Sequence, residues 1–312
     1  MTKPRLLVLG PNPARQKVLR FKHLNPGGVN RAYSLLDFAS GKGGNFCRAA
    51  LCAGKVSPLL IQAAGGENGR MIEEYFREEN LPCITVPAGP SRCCISLCSD
   101  DGGCTEVIEP SRALSEEQSA ALLKAFDENL SGAGMAVFCG SLPDGSNPEF
   151  YRRAAELACA KGIPLLLDTV TDLPELLKRA CRAVVKINRS ELKQVTQEDS
   201  IPAGIAGLFR YPALEFCAIT DGPEAAYAAG RDALYRYTLP VLKSILSPIG
   251  CGDTCGAVLA SEWLAGTPAE DAFASALAAA SANCLTPVYG HFRKEDVRRI
   301  RGKMIMEKVT GK

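Results

Sequence analysis

The sequence IGCGDTCG (249–256) places glycines and an aspartate directly before a stretch of helix-forming composition, AVLASEWLAG (257–266). Gly250 and Gly252 allow the backbone to turn tightly, with its N–H groups pointing into one concavity. The helix that follows adds the positive end of its dipole, which attracts anions. The segment therefore predicts a binding loop for a phosphate-like group, with the alternative that Asp253 is only the N-cap of the helix.

Short apolar strands alternate with amphipathic helices ahead of this loop. The predicted strands are Leu6–Leu9, Val56–Ile61, Met135–Cys139, Pro164–Asp168, Ala183–Ile187 and Phe216–Thr220. The predicted helices are Asn45–Ala53, Gly69–Glu79, Glu116–Asn129, Pro148–Ala160 and Ser190–Thr196, with two Ala-rich helices over 253–265 and 268–284. Continuous apolar strands joined by helices predict an α/β fold with a mostly parallel sheet covered on both faces. We expect one domain over residues 1–312.

Residues 13–38 and 84–109 interrupt this alternation because they contain no helical pattern. The alternating stretches CCISLC (93–98) and CTEVI (104–108) flank the turn sequence DDGG (100–103), which predicts a β-hairpin. We expect both segments to form a small sheet that projects as a lid, with ordinary edge strands as the alternative. The apolar face of such a lid would need a partner, which a homodimer through the lids would supply.

Charge and hydropathy disfavour two classes of partner. The chain has 36 basic and 34 acidic residues, a net charge of +2 and no clustered basic run, so we expect no nucleic-acid partner. The apolar run before Gly10 is too short for a signal peptide or a membrane span, and no later segment is apolar enough. We therefore expect a cytoplasmic protein with no membrane partner.

The 14 cysteines do not suggest a metal site. The sequence contains no C-x-x-C pair and only two histidines, so zinc-ligand spacing is absent. Without an export signal, we expect reduced thiols that pack as small apolar side chains.

A carboxylate beside a phosphate-binding loop suits phosphoryl transfer to an alcohol. The alcohol must be aligned with the transferred group and must lose its proton, which an aspartate such as Asp253 can accept. The loop amides would stabilise the charge on the transferred group. The chain has no G-x-x-x-x-G-K-[ST] and no H-R-D or D-F-G set, so neither common phosphotransferase architecture applies.

The GCGD sequence (250–253) resembles the G-A-G-D signature of the ribokinase-like carbohydrate kinases, in their phosphofructokinase-B branch. A second resemblance is GKGGN (41–45), preceded by VNRA (29–32) and followed by Ala49-Ala50 and Gly54. Further matches occur in the family's order: GSLP (140–143), LDT (167–169), KINRSE (186–191), TDG (220–222) and LTP (285–287). The resemblance implies a ribokinase-like three-layer αβα sandwich with a small β-sheet lid. It also implies ATP-dependent phosphorylation of a sugar or sugar phosphate similar to fructose 1-phosphate or tagatose 6-phosphate.

The resemblance also implies roles for single residues. Asp253 would be the catalytic base, with the amides of Gly250, Cys251 and Gly252 in the anion hole. The acceptor would be bound by Gln16, Gly41, Lys42, Gly43, Gly44, Asn45, Arg92 and Ser141, with Lys42 and Arg92 on its existing phosphate. ATP would be bound by Lys186, Asn188, Thr220, Gly222, Asn283 and Pro287, and Mg²⁺ would be organised by Asn188 and Glu191. The last two also fit a helix capping box, and Arg92 could be only a solvated strand residue.

Gln16 departs from the family pattern, which reads N-P-A-x-D where this chain has NPARQ (12–16). An amide cannot hold two hydroxyl donors as a carboxylate does, so the acceptor can differ from fructose phosphate. On this basis Gln16→Asp is expected to raise activity toward a ketohexose phosphate. Two alternatives stay open: a nucleoside kinase of the same fold and a catalytically inactive regulatory protein that binds a sugar phosphate. Lys42 and Arg92 disfavour the first, and intact Asp253 disfavours the second.

Overall fold

The computed structural model describes residues 2–223 and 225–309. The strands are β1 (Arg5–Leu9), β2 (Ala14–Phe21), β3 (Ser34–Ser40), β4 (Ser57–Ala64), β5 (Cys83–Pro87), β6 (Arg92–Ser99), β7 (Cys104–Ile108), β8 (Ala133–Cys139), β9 (Leu165–Asp168), β10 (Ala183–Asn188), β11 (Leu214–Asp221), β12 (Ala225–Ala229), β13 (Leu234–Thr238) and β14 (Ile305–Val309). The helices are α1 (Lys42–Ala53), α2 (Gly66–Glu78), α3 (Glu116–Leu130), α4 (Glu149–Ala160), α5 (Leu173–Arg179), α6 (Arg189–Thr196), α7 (Ile201–Leu208), α8 (Cys251–Leu264), α9 (Ala269–Asn283) and α10 (Lys294–Arg301). Within these ranges, no helix is long and apolar enough to cross a membrane.

Ten strands form one large sheet in the order β14-β13-β12-β11-β10-β9-β8-β1-β4-β5. The strands from β11 to β5 pair in parallel, whereas β12, β13 and β14 add an antiparallel edge. Successive side chains of β1 enter different cores: Leu6 and Val8 pack with α1, α8 and α9, and Leu7 and Leu9 pack with α3, α4 and α5. The sheet is therefore covered on both faces, and the predicted three-layer α/β fold is confirmed.

A separate four-stranded sheet has the order β3-β2-β6-β7. The prediction of a smaller second sheet is thus confirmed, with one correction to its range. Residues 84–87 lie in β5, which pairs in parallel with β4 and is an edge strand of the large sheet. The alternating pattern did not separate these two cases, because an edge strand and a lid strand are both half-exposed.

Two cysteines of the small sheet are joined, contrary to the expectation of reduced thiols throughout. Cys98 and Cys104 lie directly opposite each other on β6 and β7, with Cα atoms 4.1 Å apart, and form a disulfide. The hairpin register brings them together, and this register could not be read from cysteine spacing alone. The other twelve cysteines are free.

Candidate active site

The first turn of α8 is built around a glycine that no other residue could replace without strain. Gly250, the N-cap, has φ of 79°, and a Cβ there would lie 2.9 Å from Cβ of Tyr289. Its carbonyl accepts hydrogen bonds from both the N–H and the hydroxyl of Thr254, at 2.9 and 2.8 Å. The N–H groups at the start of the helix have no intrahelical acceptor, which makes this end suited to an anion. Gly250 and Gly252 both line a cavity of about 470 Å³.

Asp253 lies at the wall of the same cavity and is 7% exposed. Its Oδ2 atom accepts a hydrogen bond of 2.8 Å from Nδ2 of Asn45 on α1. Burial raises the pKa of Asp253 to about 6, although Lys42 and the bond from Asn45 oppose the shift. A carboxylate with this pKa is mostly ionised at neutral pH and is a stronger base than an ordinary aspartate.

Two lysines and Asp168 surround Asp253 with fixed charge. The buried Lys186 ammonium lies 3.4 Å from Oδ2 of Asp168, and the half-exposed Lys42 ammonium lies 3.9 Å from Oδ1. Burial alone would lower the pKa of Lys186, but Asp168 and other neighbouring groups raise it above its ordinary value, so the charge is retained. A Cβ at Gly252 would lie 3.0 Å from Nζ of Lys186. The absence of a side chain at position 252 therefore lets a buried cation lie directly beside the first turn of α8.

The cavity combines residues from both sheets. The predicted residues that line it are Gln16, Gly41, Lys42, Asn45, Arg92, Lys186, Asn188, Glu191, Thr220, Gly250, Gly252 and Asp253. The lining residues missed by the sequence analysis are Ala14, Ser40, Cys94, Glu106, Ile108 and Ile249. It also missed Asp168, which pairs with both lysines. Asp168 belongs to the LDT segment (167–169), which the sequence analysis matched to the family pattern without assigning a role to this aspartate. Nothing in the sequence indicated that β7 would contribute Glu106.

Three predicted acceptor-binding residues lie outside the lining of this cavity. A Cβ at Gly43 would lie 2.9 Å from Cα of Gly10, and one at Gly44 would lie 2.6 Å from Cζ of Phe76. Both glycines are buried, and their role here is to let α1 pack closely against neighbouring elements. Ser141 is exposed just after β8.

A second cavity, of about 560 Å³, adjoins the first because Asn188 and Thr220 line both. Gly222 lies in this second cavity together with Lys193 and Asp221. Of the residues predicted to bind nucleotide, Lys186 lines only the first cavity and Gly222 only the second.

Asn283 and Pro287 are not placed at either cavity. Asn283 is 1% exposed, and its side chain donates to the carbonyl of Ile249 at 2.9 Å and accepts from the N–H of Gly290 at 2.8 Å. It therefore holds the loop that leads into α8. Pro287 lines a different cavity beside Arg48, of about 690 Å³.

Asn188 and Glu191 form the capping box that their spacing also predicted. The Asn188 side chain accepts from the N–H of Glu191 at 2.9 Å, and Oε2 of Glu191 accepts from the N–H of Asn188 at 2.8 Å. Oε1 of Glu191 lies 3.9 Å from Nζ of Lys42 at the cavity wall. No group of three or more His, Cys, Asp or Glu side chains in residues 2–223 and 225–309 could hold a metal ion. The side-chain oxygens of Asn188 and Glu191 are few, and such a small set fits a Mg²⁺ ion that takes most of its ligands from phosphate and water.

Arg48 connects this site to the surrounding loops, a role that the sequence analysis missed. It is 6% exposed and forms two hydrogen bonds, of 2.8 and 2.9 Å, with the Glu79 carboxylate. It also donates to the carbonyls of Ala39 and Tyr289, both at 2.8 Å, and reaches Oδ1 of Asn45 at 3.4 Å. The guanidinium thus fixes the end of β3 and the loop around Tyr289. Both segments lie near Asn45, whose side-chain amide donates a hydrogen bond to Asp253.

Comparison with known proteins agrees with this architecture. A model of the pfkB family of carbohydrate kinases matches residues 14–290. Phosphofructokinase-2 from Escherichia coli, in complex with substrates and products, has 23% identity over 96% of this chain and 98% of its own, with a TM-score of 0.86. A protein from Thermotoga maritima, provisionally named a 1-phosphofructokinase, has 18% identity over 98% and 100%, with a TM-score of 0.84. A provisionally named ribokinase from Agrobacterium tumefaciens has 19% identity over 96% and 98%, with a TM-score of 0.78.

The two sheets therefore form the fold of a ribokinase-like kinase. The family model covers most of the chain, and the chain belongs to the pfkB family of carbohydrate kinases. It is accordingly a sugar kinase, and membership of this family implies ATP as the phosphoryl donor.

Proposed function

We propose that this protein transfers the γ-phosphoryl group of ATP to a hydroxyl of a sugar phosphate, with Asp253 as the general base. The observation that carries the proposal is the meeting of three features in one cavity. These are a buried carboxylate with a raised pKa, the N-terminus of α8, and the cationic side chains of Lys42, Arg92 and Lys186. A protein that only binds sugar phosphates would not need a buried base beside an anion-binding helix end.

In the proposed mechanism, Asp253 accepts the proton of the acceptor hydroxyl as that oxygen attacks the γ-phosphorus, and the bond between the γ-phosphorus and the bridging oxygen breaks to release ADP. The amides of Gly250, Cys251 and Gly252 stabilise the charge on the transferred group, and Lys186 adds a fixed positive charge beside them. Asn45 orients the carboxylate through its hydrogen bond to Oδ2. The proton stays on Asp253 until the product leaves.

The second cavity is the proposed nucleotide site. Thr220 and Asn188 lie where the two cavities meet, so the γ-phosphate would lie close to the first turn of α8, with the remainder of ATP toward Gly222. Mg²⁺ would neutralise charge on the phosphates, and Glu191 and Asn188 would hold its water ligands.

The acceptor is proposed to carry a phosphate of its own, in the manner of fructose 1-phosphate or tagatose 6-phosphate. Lys42 and Arg92 line the acceptor side of the cavity, and the Arg92 Nε atom is buried without a partner in the described chain. A guanidinium with an unmet donor suits a phosphate better than a neutral group. For this reason a nucleoside acceptor is disfavoured.

We further propose that residues 1–312 form one kinase domain whose small sheet acts as a lid, and that two copies pair through it. The outer face of this sheet carries the adjacent apolar side chains of Leu19, Leu35, Ile95, Leu97 and Val107. Leu35 and Val107 are 56% and 49% exposed. A second copy of this face would cover them, while the inner face closes over the acceptor and excludes water.

The decisive test replaces Asp253 by Asn. We expect kcat for ATP-dependent phosphorylation of fructose 1-phosphate or tagatose 6-phosphate to fall by at least about 10²-fold, the usual contribution of a general base, with ATP affinity retained. ADP release in a coupled assay measures the first quantity, and calorimetric titration measures the second. Asp271→Asn, at a half-exposed position on α9, is the control and is expected to behave as wild type. Near wild-type turnover in the Asp253 variant would refute the assignment.

A further inference from the structure

Among the described residues, the inner face of the small sheet contributes a single carboxylate to the lining of the first cavity. That carboxylate is Glu106, on the edge strand β7. Its neighbours on the same face include Gln16 on β2 and Arg92 on β6, which line the same cavity. The wall that the small sheet gives to the cavity therefore has one anionic group among the described residues, and it does not lie at position 16.

Glu106 is fixed by a short chain of hydrogen bonds. Ser96, which lies directly opposite Glu106 on β6, is fully buried. The Ser96 hydroxyl donates to Oε1 of Glu106 at 2.8 Å and accepts from Nε2 of Gln16 at 2.9 Å. The Tyr289 hydroxyl lies 2.9 Å from Oγ of Ser96. Tyr289 must be the donor in this bond, because the single hydroxyl proton of Ser96 is already donated to Glu106.

This chain explains why a neutral side chain occupies position 16. Gln16 is 4% exposed and offers Ser96 an N–H donor. An aspartate there could only accept, so it would compete with Glu106 for one Ser96 proton. Two carboxylates would then lie on one partly desolvated face, and their repulsion would disfavour the ionised form of both.

We propose that Glu106 is a specificity-determining residue that accepts hydrogen bonds from the hydroxyl groups of the sugar-phosphate acceptor. Oε1 is held by Ser96, and no hydrogen bond to Oε2 is found within residues 2–223 and 225–309, so Oε2 has capacity for the substrate. A carboxylate can hold two hydroxyl donors, as required for a polyhydroxylated chain. The inference rests on the proposed function, because it assigns part of that acceptor site.

A charge-exchange experiment tests the proposal with four proteins: wild type, Glu106→Gln, Gln16→Asp and the double variant. The probes are fructose 1-phosphate, fructose 6-phosphate and tagatose 6-phosphate. In Glu106→Gln, kcat/KM for the best acceptor should fall about ten- to hundredfold, the value of a hydrogen bond to a charged group, with KM for ATP unchanged. Gln16→Asp alone should also lose activity, which replaces the gain expected from the sequence. The double variant should recover at least about tenfold over Gln16→Asp, because one carboxylate is again present.

Controls separate this role from a structural one. Glu109→Gln changes a carboxylate just beyond β7 that does not line the cavity and should leave acceptor kinetics unchanged. Thermal denaturation shows whether each variant folds, and Glu106→Asp, which keeps the charge, should retain more activity than Glu106→Gln.

Three results would overturn the inference. If wild type phosphorylates a probe and Glu106→Gln does so with unchanged kcat/KM, the inference fails and the proposed function stands. A double variant no better than Gln16→Asp would also contradict it. If wild type phosphorylates none of the three probes, both the inference and the proposed acceptor class fail.

Discussion

Asp253 has a protonation state set by opposing neighbours. Removal from water raises its pKa to about 6, and Lys42 and Asn45 limit the rise. The Asn45 bond to Oδ2 favours the ionised form because an amide N–H donates to a carboxylate. The same amide thus orients the proposed base and favours its ionised form at neutral pH.

The pH dependence of turnover should report this balance. Asp253 must be ionised to act as the proposed base, so kcat/KM for the acceptor should be constant above about pH 7 and fall about tenfold per pH unit below the Asp253 pKa of about 6. Initial rates from pH 5 to 8 at saturating ATP measure the profile.

The fall at low pH could also come from ionisation of the substrate, because a phosphate monoester titrates near pH 6 as well. A variant of the enzyme separates these two sources. In Asn45→Ala the bond that lowers the Asp253 pKa is lost, so the acid limb should move to higher pH. Substrate ionisation would leave the limb in place. An unshifted limb would contradict the assignment of the limb to Asp253.

Single residues were predictable where the motif itself forms the site. Lys186 and Asn188 lie near the end of β10 and Asp253 lies in the first turn of α8, so local sequence places them. Gly43 and Asn283 also match the family pattern, but the structure uses them for close packing and for holding a loop. A pattern match does not separate these roles. Glu106 could not be found because its place depends on the register of the β6–β7 hairpin and on the pairing of this hairpin with β2, which is distant in sequence.

Helix α1 and its Arg48 side chain organise the elements around the site. The guanidinium bonds Glu79 after α2, the carbonyl of Ala39 in β3 and the carbonyl of Tyr289 in the loop after α9. The Asn283 side chain accepts a hydrogen bond from Gly290 in this loop and donates one to the carbonyl of Ile249, just before α8. The position of the α8 N-terminus therefore depends on the contacts of Arg48.

Removal of this guanidinium should therefore be costly. Arg48→Ala leaves a carboxylate and two carbonyls without their donor, and the free energy of unfolding should fall by about 3–5 kcal/mol, as for a broken buried ion pair. Urea denaturation measures the loss.

The matched control is Arg182→Ala, which removes an equally bidentate pair with Glu215 on the surface. That change should cost less than about 1 kcal/mol. Equal losses in the two variants would argue against a structural role for the Arg48 network.

Elements were predictable where an apolar strand and an amphipathic helix alternate. The antiparallel edge was not, because β12 reads AAYAA and lacks the branched residues typical of a strand. Helix α7 begins with a Ser200 cap and a proline at its first turn but has glycine at 204 and 207, which weakens its helical signal.

The outer face of the small sheet determines the expected assembly of the whole molecule. If two copies pair there, the double variant Leu35→Glu, Val107→Glu should convert a dimer into a monomer, because charges would oppose each other across an apolar contact. Sedimentation velocity measures the mass.

Val241→Glu, at a residue that is 89% exposed and does not belong to this sheet, serves as the control and should not alter the assembly. A wild-type protein that is monomeric at micromolar concentration, or a double variant that remains dimeric, would contradict pairing through this face.

The lining of the first cavity is divided between two sheets, and this division bears on how such a protein can diverge. Asp253 and Lys186 belong to the body, whereas Gln16, Arg92 and Glu106 belong to the small sheet. On the proposed assignment, exchanges on the small sheet would change which sugar is recognised without disturbing the phosphoryl transfer carried out by residues of the body. A new sugar preference would then need only a few replacements on the strands of the small sheet.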